Sequence, residues 1–231
     1  MSDKELVQAE FCALVAKRLH DVRERVTNSG GDLSKITIVA VTKGHGSEVV
    51  VAAKRCGLVD IGENYADELV AKAQSVQLIE GGGFGLRWHF QGRLQTNKIN
   101  RLRDYANVWQ SLDSVERLEA LAKRQPGAKV FIQVDSTGGT TGRSGAPIGS
   151  VANLVLHGID RGLDVRGLMT VAPLPEHQCG SPTQAFNAVS ELAARLRLPE
   201  VSMGMSDDFE DAIRAGSTMI RLGSVLFGPR Q

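Results

Sequence analysis

Ile36-Thr37-Ile38-Val39-Ala40-Val41-Thr42-Lys43 reads as one buried strand that ends in a single ammonium group. The run is apolar almost throughout, without the clean alternation of a half-solvated strand, as expected of a parallel strand covered on both faces. In α/β folds the C-terminal ends of such strands carry the chemistry. Lys43 is therefore a candidate amine nucleophile as well as a polar full stop.

Outward from this run, short apolar segments alternate with helical patterns. Strands are expected at 59–63, 87–92, 107–112, 129–135, 165–171, 200–205 and 217–223 in addition to 36–43. Helices are expected at 47–56, 64–75, 95–104, 114–124, 148–160, 182–196 and 207–215. Gly57 closes the first of these, and Asp113 opens the fourth with Glu116 at capping-box spacing. Ser181-Pro182 supplies an N-cap and first-turn pair, and Gly216 a C-terminal stop. Before all of them, Cys12, Val15, Leu19, Val22 and Val26 form a stripe at helical spacing that stops at Asn28-Ser29-Gly30-Gly31. About eight strand–helix units favour a closed barrel over an open doubly wound sheet. The expected fold is α/β, a single (β/α)8 TIM barrel with an extra N-terminal helix, and residues 1–231 form one domain. Closure would make the first and last strands neighbours.

That neighbourhood gives Lys43 a counterpart. Ser202-Met203-Gly204-Met205-Ser206-Asp207-Asp208 and Ile220-Arg221-Leu222-Gly223-Ser224 lie around the last strands, where barrels often hold a phosphate beside a short extra helix. Gly223 allows close backbone approach, Ser224 opens a helical turn, and Ser206 places a hydroxyl nearby. Ser206 also reads as an ordinary helix cap shared with Asp207. A nucleophilic amine facing a phosphate cup suits an aldehyde-bearing phosphate ester, and pyridoxal 5'-phosphate is the obvious candidate. Arg221 can only donate hydrogen bonds; against a pyridine nitrogen it would keep the ring unprotonated and weaken its capacity as an electron sink. An inward arginine paired to a carboxylate is the alternative.

Composition excludes several other classes. Hydrophobic residues make up 42% and charged residues 23%, with a net charge of +1, so there is no broad electrostatic footprint for nucleic acid or anionic membrane. No apolar stretch approaches a membrane span. Cys12, Cys56 and Cys179 are far apart and odd in number, which fits a reducing, cytoplasmic compartment. His20, His45, His157 and His177 lack ligand spacing, so no metal is expected. Thr137-Gly138-Gly139-Thr140-Thr141-Gly142-Arg143-Ser144 resembles a phosphate loop but lacks its first glycine and has Arg143 for the lysine, and it reads as a mobile loop. Gly81-Gly82-Gly83-Phe84-Gly85 reads as a connector. His89 could face a ligand or sit satisfied in the interior.

Several segments in order, Ile61-Gly62-Glu63-Asn64-Tyr65, Trp88-His89-Phe90-Gln91-Gly92-Arg93-Leu94-Gln95-Thr96-Asn97-Lys98, Gly167-Leu168-Met169-Thr170, and Ser202–Asp208 with Arg221-Leu222-Gly223, resemble the YggS/PROSC group of pyridoxal phosphate homeostasis proteins. The resemblance implies a barrel like the N-terminal domain of alanine racemase, with the vitamin B6 cofactor held as a Schiff base on Lys43. It places Asn64 against the cofactor ring, Arg221 near the pyridine nitrogen, and Ser206, Gly223 and Ser224 around the phosphate. It also implies storage, buffering or delivery of the cofactor without robust catalysis, with apo-enzymes as transient partners. A fold-type III enzyme such as an amino-acid racemase is the alternative. Such a racemase takes its second base, a tyrosine, from another domain across a dimer interface; only Tyr65 and Tyr105 are present here, and a monomer is expected. The chain departs from the family pattern at Gly44-His45-Gly46, at Arg93 where proline is common, and at Ser224 where threonine is common.

Overall fold

A computed structural model describes residues 3–79, 85–137, 144–173 and 181–229. Most of the phosphate-loop-like segment and of the glycine connector, together with His177 and Cys179, lie outside the described residues. The elements run α1 (Asp3–Asn28), β1 (Thr37–Val41), α2 (Ser47–Arg55), β2 (Asp60–Glu63), α3 (Ala66–Ile79), β3 (Arg87–Phe90), α4 (Ile99–Leu102), β4 (Ala106–Leu112), α5 (Val115–Arg124), β5 (Lys129–Asp135), β6 (Ala146–Pro147), α6 (Val151–Asp160), β7 (Asp164–Thr170), α7 (Pro182–Arg195), β8 (Glu200–Ser202), α8 (Phe209–Arg214), β9 (Met219–Leu222) and α9 (Ser224–Phe227).

Among the described residues, β1, β2, β3, β4, β5, β7, β8 and β9 close into a parallel barrel, and the two-residue β6 pairs at the side of β5. The seam joins the chain's opening and closing strands, with Val39 opposite Arg221 and Ala40 opposite Leu222. The expected (β/α)8 barrel is the observed one. Side chains alternate between two cores. Ile38, Ala40, Ile61, Trp88, Phe90, Ile220 and Leu222 belong to the large layer that includes buried helix residues. Val39, Val108, Phe131, Met169 and Met219 form a small separate cluster within the barrel. The strand period of two produces this division, since successive side chains face opposite sides.

The N-terminal helix docks as its stripe predicts. Val15, Leu19, Val22 and Val26 are all buried, and each such burial stabilises by about 1.5–3 kcal/mol. Polar contacts fix the helix against the end of the chain: Arg18 Nη1 donates to Leu226 O at 3.2 Å, and Arg25 Nε donates to Glu210 Oε1 at 2.8 Å. Thus α1 buttresses α8 and α9, the elements that frame one mouth of the barrel.

Besides shifted ends, with α3 running to Ile79 rather than 75 and α4 covering only Ile99–Leu102 of the expected 95–104, two caps differ from the sequence reading. The N-cap of α5 is Ser114, whose hydroxyl accepts from Arg117 N, while Asp113 pairs with the Arg117 side chain. At α8 the N-cap is Asp208, so Ser206 and Asp207 are not its caps. Asp208 Oδ1 instead accepts from Met205 N at 2.5 Å, and the Ser206 hydroxyl accepts from Val225 N at 3.3 Å. Ser206 is thereby tied to the start of α9 across the chain. The α7 cap is as expected, a capping box between Ser181 and Gln184.

Candidate functional site

At the C-terminal ends of the strands, the upper mouth, lies a cavity of about 510 Å³. All six residues singled out from the sequence, Lys43, Asn64, Ser206, Arg221, Gly223 and Ser224, line it. They arrive from β1, from the β2–α3 junction, from the β8–α8 loop and from β9 with its exit. Only barrel closure brings them together.

Lys43 follows β1 in a loop held from below. Buried Lys72, on the barrel-facing side of α3, donates to Thr42 O at 2.7 Å, to Glu63 Oε1 at 2.6 Å and to Glu68 Oε2 at 2.9 Å. Thr42 Oγ1 donates to the same Glu63 oxygen at 2.5 Å, and Gly44 N donates to Glu68 Oε2 at 2.9 Å. The residues on both sides of Lys43 are therefore pinned to one buried ionic cluster. Burial pushes the Glu63 carboxyl above its ordinary range in spite of Lys72 and Thr42. Glu68 stays below its ordinary value: its partial burial acts upward, but hydrogen bonds from Gly44 and Lys72 outweigh it. Gly44 has φ +74°, a left-handed conformation that suits glycine and that a β-branched residue would adopt only with strain.

Arg221 points inward from β9 and is buried. Its Nη1 donates to Ser202 Oγ at 2.8 Å and its Nη2 to Thr170 O at 2.7 Å. Both acceptors are neutral, so the paired-carboxylate alternative does not hold for its hydrogen bonds. Burial pushes the guanidinium down to about 10, countered in part by the charge of Asp208; at neutral pH it remains a cation. Asp208 in turn is raised by burial, against the Met205 N–H and the Arg221 charge.

The Gly223 side of the cavity is made by backbone proximity. A Cβ on Gly223 would lie 3.2 Å from Val41 O, so the β9 exit runs tight against β1. Gly92 is more crowded: a Cβ there would lie 1.7 Å from Asn64 O, and Ser111 Oγ donates to its carbonyl. This contact sets Asn64 at the rim. Tyr65, next in the chain, is 59% exposed and does not line the cavity.

Sequence reasoning passed over several lining residues, among them Gln91, His45, Met169, Met205 and Asp207. Gln91 is the informative one, because its Nε2 is buried without a hydrogen-bond partner. An unsatisfied buried donor costs about 1–3 kcal/mol, so an acceptor from a ligand would relieve it. The clue was available, since Gln91 stands within the quoted Trp88–Lys98 segment. His45 stacks edge-on to Phe227 with ring centroids 6.0 Å apart. His89 does not reach the cavity lining; it is buried in the barrel, bonded to Asp60 and Gln110. No cluster of metal-ligating side chains is found among the described residues.

A family model described as "Alanine racemase, N-terminal domain" matches residues 17–231. The chain is 33% identical to the pyridoxal phosphate homeostasis protein of Bos taurus, covering 90% of this chain and 83% of that one. It is also 33% identical to the protein of that name from Pseudomonas aeruginosa, covering 96% and 95%. Among solved structures, PipY of Synechococcus elongatus with PLP bound superposes with a TM-score of 0.75 at 27% identity, covering 93% of this chain and 100% of that one.

Proposed function

The chain belongs to the alanine racemase N-terminal-domain family, and from that membership and the upper-mouth cavity we propose that it binds pyridoxal 5'-phosphate and serves its homeostasis by storage, buffering or delivery. Residues 1–231 act as one barrel domain, in the cytoplasm, as a monomer that meets apo-enzymes transiently. Among the described residues no helix is long and apolar enough to cross a membrane.

One observation carries the reading: an amine from the opening strand and a hydroxyl-and-glycine cup from the closing one border the same cavity. Lys43 supplies the amine that condenses with the ligand's aldehyde, the carbonyl oxygen leaving as one water. Ser206 and Ser224 donate to the phosphate, with Gly223 leaving room for it. The fit is supported by the unpartnered Gln91 N–H, which suits a ligand rich in acceptor oxygens. When bound, the cofactor supplies an electron-withdrawing ring. Arg221 limits that property, because a permanent donor beside the ring nitrogen opposes its protonation.

The racemase-like alternative needs a second proton-transfer group facing the bound substrate. Neither tyrosine lines the cavity, but His45 does. Heavy-water exchange separates the readings. The loaded protein is expected to take up one equivalent of cofactor, to lose that uptake on Lys43→Ala, and to leave the α-hydrogen of alanine unexchanged. Prompt, Lys43-dependent α-deuteration, abolished by His45→Ala, would establish the enzyme instead.

A further inference from the structure

Below Arg221 a file of polar side chains runs down the barrel axis to the opposite mouth. Each comes from a different strand: Ser202 from β8, Gln110 from β4, His89 from β3 and Asp60 from β2. Ser202 Oγ donates to Gln110 Oε1 at 2.7 Å. Gln110 Nε2 meets His89 Nδ1 at 2.7 Å, and His89 Nε2 meets Asp60 Oδ1 at 2.9 Å. Arg87 closes the file with a fork onto Asp60, at 2.7 and 2.6 Å. Ser202, Gln110, His89 and Asp60 are all at most 5% exposed.

The proton positions along this file follow from one fact, that an arginine has donors and no acceptor. Arg221 must donate to Ser202, so the single hydroxyl proton of Ser202 goes to Gln110 Oε1. The carboxamide then presents its N–H to His89 Nδ1, which must be bare. His89 accordingly carries its proton on Nε2 and donates to Asp60. No link can reverse alone without leaving two donors or two acceptors face to face. An intermediate that could reverse freely, such as a water, is not needed to connect any pair.

We infer that Ser202, Gln110 and His89 are positioning residues: a one-directional hydrogen-bond column, anchored on Asp60 and Arg87, that holds the Arg221 guanidinium in place as a donor toward the cavity. Two of its five N–H groups are committed, to Ser202 and to Thr170 O, which fixes the plane of the group and aims the remainder. None of the three column residues lines the upper cavity, so any influence on a ligand passes through Arg221. This inference rests on the cofactor reading above and adds to it how the ring-side cation is kept in register.

The test uses the full chain loaded with pyridoxal 5'-phosphate labelled with ¹⁵N in the ring. The ring-nitrogen chemical shift reports whether a donor faces it, which a merely structural role of His89 would not move. In the wild type the signal is expected at a hydrogen-bonded, unprotonated position. His89→Leu interrupts the column, and the signal is expected to move toward that of the free unprotonated ring, with the cofactor dissociation rate rising about tenfold, as for one weakened charge-assisted hydrogen bond. His89→Gln, which can accept from Gln110 and donate to Asp60, is expected to restore both. Should His89→Leu fail to fold, Ser202→Ala is expected to give the same displacement. An unmoved signal in His89→Leu, or in Ser202→Ala if that variant must decide, overturns the column while trapping of the cofactor on Lys43 still succeeds. Failure of wild-type trapping on Lys43 is a separate result, and it overturns the cofactor reading together with the column built on it.

Discussion

The two mouths of the barrel have similar room, about 590 Å³ below and about 510 Å³ above, yet they treat charge in opposite ways. Below, both lining carboxylates are paired to arginines. Arg87 forks onto Asp60, and Arg166 Nε donates to Glu200 Oε1 at 2.9 Å. Above, Arg221 donates only to neutral oxygens, and Gln91 has a buried donor with no acceptor. A mouth whose carboxylates are paired to arginines contributes stability, whereas one with directed, unsatisfied donors is poised for a ligand. The difference follows the general division of barrels into a chemical C-terminal face and a structural N-terminal one.

The strongest way to break this comparison is a pair of glycine variants. Gly92→Ala drives a methyl into Asn64 O at the upper rim, and Gly167→Ala drives one to 1.9 Å from Glu200 O on the lower side. Each is expected to lower unfolding free energy by about 3 kcal/mol, the upper range for overpacking against backbone, as measured by urea unfolding. Only Gly92→Ala should also reduce cofactor uptake per folded molecule, because Asn64 moves with it. Equal uptake in the two would erase the distinction between the mouths.

Next in size, Ser206→Ala is expected to weaken cofactor binding by about 2 kcal/mol, the contribution of a hydrogen bond to a charged group. Equilibrium dialysis checks it. Asp60→Asn should lower stability. Burial acts to raise the Asp60 carboxyl, but hydrogen bonds from His89 and Arg87 outweigh it, so the folded value lies below 3.8. A depressed carboxylate contributes stability that is complete above its unfolded value and is lost as pH falls through the folded one. The variant is expected to lose about 1–2 kcal/mol at neutral pH and to show a flatter acid limb below pH 3.8. Smallest is Arg166→Gln: its side chain is 41% exposed, so the change should stay within about 0.5 kcal/mol and leave uptake intact.

The same contrast explains what the sequence made legible. Buried parallel strands announce themselves as apolar runs, so 129–135 and 107–112 lie within one residue of β5 and β4. The upper-mouth residues sit at strand exits in multi-residue motifs, where a local reading succeeds. The column does not read locally, because Asp60, His89, Gln110 and Ser202 are single inward polar residues on four strands, and only the registers between those strands align them. Lys72 was readable in principle, as a charge set among Leu69, Val70, Ala73 and Val76 on the buried face of α3. The caps were misplaced where several good capping residues are adjacent: Asp113 beside Ser114, and Ser206-Asp207 beside Asp208. At α5 the choice falls to Arg117, whose N–H bonds Ser114 and whose side chain pairs with Asp113, and at α8 Ser206 is claimed by a tertiary partner, Val225 N.

Borohydride reduction of the protein after incubation with pyridoxal 5'-phosphate, followed by peptide mass mapping, tests the central claim most directly. The account predicts a single stoichiometric pyridoxyl label on Lys43 at the upper mouth. A label carried instead by Lys35 or Lys129, which line the lower mouth, or no label at all, would contradict it.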